Sequence, residues 1–273
     1  MNIILIDISY YIFYRYYALH SWWKLAKPDE ELTIPFENEE FVEKFKKTFV
    51  EKINEIPKKL KIHKEGFKFI VGKDCPRNTI WRHNLIKKDS EMKEYKENRI
   101  YDDTFMGGPF FKLGLELVET MKIPIISHET LEADDCIAIS TKYLKQKPEF
   151  NIYIIANDMD YLQLHDSNVK IYDLKYKNLA ENKKWSGDPK KDLFCKIVMG
   201  DKSDNINSIF KKCGIKTALK YYEDEKLFQD KLEQENAKEL YEINKKLIDF
   251  NEIPQELQEK FLSNALPILT ITN

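Results

Sequence analysis

Asn2-Ile3-Ile4-Leu5-Ile6 is an almost unbroken aliphatic run that stops on a carboxylate, Asp7. A short, continuous, β-branched segment reads as a strand covered on both faces, as in parallel sheets. The pattern returns further along. Apolar runs at 67–71, 123–127, 152–156 and 169–173 alternate with helically spaced segments at 10–25, 36–60, 110–121 and 131–144. Such alternation predicts an α/β fold, with a mostly parallel central sheet and helices on both faces. Past residue 188 the strand pattern fades. Segments 192–199, 216–222 and 226–246 have helical spacing, and the acidic stretch 223–246 reads as a solvated helix. A polar stretch at 180–190 sets a loose boundary, dividing 1–185 from 186–273. The apolar run at 265–271 is expected to pack back on the sheet or to meet a partner.

Composition narrows the classes. The 273 residues carry 44 Lys and Arg against 46 Asp and Glu, a net charge of −2. With 42% hydrophobic residues the chain has material for a packed core, which excludes wholesale disorder. No apolar stretch approaches the ~20 residues of a spanning helix, so no membrane role is expected. The N-terminus lacks a basic region and holds Asp7 inside its first apolar run, unlike a signal peptide. The four cysteines form no CxxC pair, which argues against a zinc ribbon or dithiol site and for a reducing, cytoplasmic compartment. The near-neutral total hides an asymmetry: 58–99 carries a net +7, and 223–260 a net −6. The basic block is open to two readings, a solvated face or a footprint for a polyanion.

In open parallel sheets ligands bind at the carboxyl ends of the strands. Asp7 and Asp74 follow the first two strands. Glu132, Asp134 and Asp135 stand where the third strand's loop enters a helix, and Asp158 and Asp160 follow the fourth. These seven converge on one edge, with Asp201 and Asp204 later in the chain. Taken singly each is ordinary, a helix cap, a first-turn charge or a turn residue. Together they would repel, because two unit charges ~4 Å apart at an effective dielectric of about 20 interact by roughly 4 kcal/mol. Divalent cations would relieve this. Oxygen donors without His or Cys suit Mg²⁺ or Mn²⁺, and two such ions are a recurrent device for phosphodiester hydrolysis.

The order Leu5-Ile6-Asp7, Tyr95-Lys96-Glu97-Asn98-Arg99, Leu131-Glu132-Ala133-Asp134-Asp135, Asn157-Asp158-Met159-Asp160 and Gly200-Asp201-Lys202-Ser203-Asp204-Asn205-Ile206 resembles the flap endonuclease/5′–3′ exonuclease family. Phage 5′ nucleases and the 5′-nuclease domain of bacterial DNA polymerase I are the nearest types. The resemblance covers about 1–222 and implies a PIN-like core with a helical arch insertion at about 77–105. It also implies a C-terminal helical DNA-binding region with a helix–three-turn–helix element at about 195–222. By the same resemblance Asp7, Asp74, Glu132 and Asp134 hold a first metal with Asp135 nearby. Asp158, Asp160, Asp201 and Asp204 then hold or orient a second. Lys96 and Arg99 match cations that contact the scissile phosphate, and Arg15, Arg82, Lys93, Lys212, Gly214 and Lys216 fall at DNA-binding positions. The implied cofactors are two Mg²⁺ ions, with Mn²⁺ able to substitute, and K⁺ at the helix–three-turn–helix. The implied partner is 5′-flap, nicked or 5′-ended DNA, with RNA–DNA hybrid a further substrate. Replication or repair, including RNA-primer removal, by a monomer follows from the same likeness.

With the resemblance in view, the basic block becomes a funnel for a single-stranded 5′ end, and Trp81 and Tyr95 are open to base stacking or to packing. Three departures stand out. Ile8 follows Asp7 where the family has Gly. Gly72-Lys73-Asp74 stands for a Phe-Asp-Gly type block. Lys212-Cys213-Gly214-Ile215-Lys216 lacks one glycine of the family's hairpin. Two rivals remain: a PIN-domain ribonuclease, which usually lacks the basic insertion, and a non-catalytic junction-binding protein, which would have lost carboxylates.

Overall fold

The computed structural model describes residues 1–86, 94–98 and 105–270. Lys87, Lys88, Lys93, Arg99, most of the expected arch and Ile271 lie outside the described residues. Five parallel strands run in the order β3-β2-β1-β4-β5, with β1 Asn2–Asp7, β2 Phe67–Gly72, β3 Ile125–Ile126, β4 Asn151–Ile155 and β5 Val169–Tyr172. In register, Asp7 pairs with Gly72 and Ile6 with Ile155, so the three central strands end level.

Strand periodicity sorts the β1 side chains onto two cores. Ile4 and Ile6 face a layer of α1 (Ile8–Ala26), α2 (Glu39–Lys59) and α3 (Gly108–Thr120). Ile3 and Leu5 face α4 (Ala133–Leu144) and, from the C-terminal end, α9 (Gln255–Leu269). All four are fully buried. Each contributes roughly 1.5–3 kcal/mol of transfer free energy, which is why this run has no polar interruption before Asp7. On α2, Phe41, Phe45, Phe49, Ile53 and Ile56 form the buried stripe, and Asn38 caps the helix by accepting from Phe41 N at 2.9 Å.

Three expectations need adjustment. The third strand shrinks to two residues: Pro124 has no N–H to give to a ladder, although its carbonyl accepts from Val71 N. The expected helix over 226–246 is two, α7 (Glu225–Gln234) and α8 (Lys238–Ile248), broken at Asn236 with φ 50°, a left-handed value that Asn tolerates. It is also not merely solvated, since Phe228, Leu232, Ala237 and Asn244 are buried. Of the two fates offered for the apolar C-terminus, Ala265 and Leu269 take the first and pack into the core beside α4.

Helix α5 (Pro189–Met199) and helix α6 (Ile215–Glu223) flank the loop that bears Asp201 and Asp204. Gly200 opens that loop at φ 70°, ψ −175°, where a β-carbon would stand 2.4 Å from Ile206 O. Asp201 and Ile206 then exchange backbone hydrogen bonds of 2.9 and 2.7 Å, closing the loop. This backbone region is essentially reserved for glycine. Gly200→Ala is expected to cost at least about 1–3 kcal/mol, read as a lowered midpoint in thermal unfolding. An unchanged midpoint would show that the loop does not need this conformation.

Candidate metal and nucleic-acid site

The level ends of the central strands open onto a cleft of about 540 Å³. Asp7, Asp74, Glu132, Asp134 and Asp158 line it, together with Lys96 and Arg77. Four chain segments therefore deliver five carboxylates to one space. Each acid is held by the local start of the next element. Asp7 caps α1, accepting from Tyr10 N at 3.0 Å, and its other oxygen accepts from Tyr161 Oη at 3.2 Å. Asp74 accepts from Ala133 N at 2.8 Å and Ser9 Oγ at 2.6 Å. Glu132 and Asp135 form the capping box of α4. Asp158 caps a short 3₁₀ turn through Asp160 N. The helix-cap reading and the site reading of these acids thus hold together.

Behind the cleft lies a smaller compartment lined by Asp134, Asp160, Asp201 and Asp204, with Arg82, Tyr95 and Lys196. Asp134 lines both spaces and joins them. All nine expected acids therefore gather around this edge, Asp135 from within the core.

Among the described residues, three cations are paired with these acids. Lys96 Nζ reaches Glu132 Oε1 at 2.6 Å and Asp204 Oδ2 at 3.8 Å, spanning the two compartments. Its backbone, at φ 57°, is fixed by Asp204 O and by Arg77, which donates to Lys96 O at 2.6 Å. Arg82 grips Asp135 with two bonds of 2.7 and 2.8 Å, reaches Glu132 at 3.1 Å and donates to Leu247 O. Lys196 binds Asp160 and, at 2.7 Å, Asp201. Sequence reading missed Lys196 and Tyr161. The available signal for the first was a lone lysine in the apolar stretch Phe194-Cys195-Lys196-Ile197-Val198-Met199.

The expected DNA contact by Arg82 is corrected: the residue is 1% exposed and spends its guanidinium on Asp135 and Glu132. Asp135 is equally enclosed, and its Oδ2 also accepts from Trp81 Nε1 at 2.9 Å, so it braces the cluster without lining the cleft. Trp81 and Tyr95 are buried, and Tyr95 Oη bonds Glu132 at 3.2 Å, which favours packing over base stacking. Arg15 lies outside the cleft, in a pocket with Tyr11, Lys52, Glu55 and Tyr176. Lys212, Gly214 and Lys216 are exposed together where the loop enters α6.

Electrostatics explain what the cluster needs. Burial, then the nearby Asp74, pushes the Asp7 carboxyl from 3.8 to about 7. Asp134 is driven well above the ordinary range by burial and by Asp135 and Glu132. Burial raises Asp160 to about 6 against the pull of Lys196. Burial would raise Asp201 too, but Lys196 and Ser203 outweigh it and hold it at about 2. Cys75 also lines the cleft, but burial pushes its thiol up to about 11 and keeps it protonated. The carboxylates are therefore the donors among the described residues, a set that fits hard divalent cations.

Two outcomes follow. A single break in the buried Arg82–Asp135 pair, as in Arg82→Met, should destabilise the protein by about 3–5 kcal/mol. Urea unfolding measures this, and a wild-type midpoint would return Arg82 to a surface role. Raised acids such as Asp7 bind protons more tightly when folded. In chelator, stability should therefore fall as pH climbs from about 4 to 7. A saturating divalent cation should raise the melting temperature more at pH 8 than at pH 5, and an equal rise at both would remove these acids from the binding site.

Comparison with known proteins agrees with this geometry. Residues 2–187 match the model of the 5′-3′ exonuclease N-terminal resolvase-like domain. A 5′-3′ exonuclease of Mycoplasmopsis pulmonis is 33% identical over 210 residues, 69% of this chain and 67% of that protein. DNA polymerase I of Caldicellulosiruptor bescii is 33% identical over 150 residues, half of this chain but only 17% of the polymerase. In fold, the chain resembles the bacteriophage T5 flap endonuclease solved with DNA and metal ions, at a TM-score of 0.69 and 17% identity over 99% of this chain and 100% of that one. The match over residues 2–187, joined to the likeness to the Mycoplasmopsis pulmonis exonuclease, shows that the chain belongs to the 5′-3′ exonuclease family.

Proposed function

We propose that the protein is a divalent-cation-dependent 5′ nuclease that hydrolyses phosphodiester bonds in DNA at 5′ ends and at flap or nick junctions, with Mg²⁺ as its physiological ion. The observation that carries this reading is the single cleft in which Asp7, Asp74, Glu132, Asp134 and Asp158 meet beside Lys96. The residues fit the ions: among the described residues the wall holds five carboxylates and no histidine, with Lys96 and Arg77 beside them. Divalent ions held there supply Lewis acidity, activating water and offsetting charge that builds on the leaving oxygen.

The remaining work falls to the chain. Lys96 is placed at the cleft by a backbone tied at both its N–H and its carbonyl, and its ammonium would exchange Glu132 for an entering phosphate. Glu132 Oε1 holds that ammonium until DNA arrives, while Arg82 and Tyr95 keep Oε2 in place. Arg99 and Lys93 belong to the same reading as cations of an arch over 77–105. Lys212, Gly214 and Lys216 offer two cations and an open N–H at the start of α6, suited to a duplex phosphate with K⁺ beside it. Residues 1–185 then act as the nuclease core and 186–273 as the DNA-binding region.

The reading is tested with 5′-labelled flap, nicked and single-stranded DNA, with and without Mg²⁺. Cleavage near the junction or 5′ end that stops in chelator is expected. Cutting of RNA alone, or binding of DNA without cutting, would overturn it in favour of a ribonuclease or a junction-binding protein. Asp158→Asn should lower turnover by more than about 100-fold, beyond the loss of a supporting residue, with DNA affinity largely kept. Lys96→Ala should reduce turnover more than binding. Full cleavage by both variants would reject the assignment.

A further inference from the structure

The two compartments are not equivalent. The outer cleft opens to solvent and has five carboxylates, whereas the inner one is a void of about 10 Å³, little more than one small ion can fill. Lys196 already reaches into it. Its Nζ lies 2.7 Å from Asp201 Oδ2 and contacts Asp160 Oδ1. Asp201 Oδ1 is meanwhile engaged by Ser203 N at 2.8 Å and Ser203 Oγ at 2.5 Å. The ammonium thus stands between the two acids, where a cation bridging them would stand. The helix that carries it is fixed: Asn244 donates to Ile197 O at 3.0 Å and to Asn207 O at 2.8 Å, and Cys195, Ile197 and Val198 are buried. Only the four-carbon stem of the lysine has room to change.

We propose that Lys196 is a built-in counter-ion of the inner compartment, and that its ammonium and a divalent cation occupy the space between Asp160 and Asp201 in mutually exclusive fashion. Ions then load the outer cleft first, and the inner acids accept one only as Lys196 withdraws. Lys196 is a positioning residue in this scheme. It keeps Asp160 and Asp201 apart and charged without touching substrate. Removing one partner of such a partly buried pair leaves uncompensated charge, and here that charge becomes added affinity for a hard cation. The inference rests on the reading that the outer cleft holds divalent ions.

Mn²⁺ titration of the full, metal-free chain, followed by electron paramagnetic resonance of free Mn²⁺, tests it. Lys196→Met should bind one more Mn²⁺ than the wild type, or bind its weakest ion at least about tenfold more tightly. Lys196→Arg, which keeps the charge, should titrate like the wild type. A Lys196→Met curve that superimposes on the wild type overturns the proposal. A second measurement needs no variant: amine labelling of Lys196, read by mass spectrometry, should be low in chelator and rise at saturating Mn²⁺. Constant labelling overturns the proposal as well. Asp158→Asn separates the two ideas. If that variant takes up as much Mn²⁺ as the wild type, the outer-cleft reading fails. If it loses Mn²⁺ while Lys196→Met gains none, only the counter-ion fails.

Discussion

Bringing like charges together is costly, and the structure around the acidic edge is organised to meet that cost. Unit charges ~4 Å apart in a partly buried site repel by several kcal/mol. Among the described residues three cations answer, each from a different part of the chain. Arg82 comes from the short helical turn after β2, Lys96 from the described piece of the basic insertion, and Lys196 from α5. Two of them are held by further contacts. Arg82 Nε donates to Leu247 O at the end of α8, and Lys96 N donates to Asp204 O. The C-terminal helices therefore help to complete the electrostatics of the sheet edge.

The parallel sheet supplies the geometry that makes the clustering possible. Strands β1, β2 and β4 end level, and the chain after each turns into a helix or a helical turn. Backbone N–H groups at such starts attract carboxylates and align them. Asp7, Asp158 and the Glu132–Asp135 box all use them. The capping bonds fix the acids in direction, Asp7, Glu132 and Asp158 along the shared cleft and Asp135 toward Arg82 behind it. Stability and chemistry draw on the same atoms here, so a separate scaffold for the site is unnecessary.

Much of the fold was legible because its signals are local. The run 3–6 requires cover on both faces, and the Phe41, Phe45, Phe49 spacing requires a helix with one buried stripe. Seven acids of the edge were legible because they follow strands, and Asp201 and Asp204 because they stand in the Gly200–Ile206 block. Where reading failed, the deciding interaction was distant in sequence. Arg82 looked like one of many basic residues, but a carboxylate 53 positions away and a carbonyl 165 positions away bury it. The stretch 226–246 looked like one polar helix, but Asn236 breaks it and Phe228 and Leu232 pack into a cluster with residues of α5, α6 and α8.

The sequence by itself determined the alternating architecture, the direction of the strands and the list of acids at their ends, because hydrophobic period and chain order are properties of neighbouring residues. Only the tertiary structure decided how those acids are shared: five to an open cleft, three more with Asp134 to a small inner space, and Asp135 to a buried arginine. It also decided which lysines stand among them. Charge compensation depends on distances between residues that the chain order does not constrain.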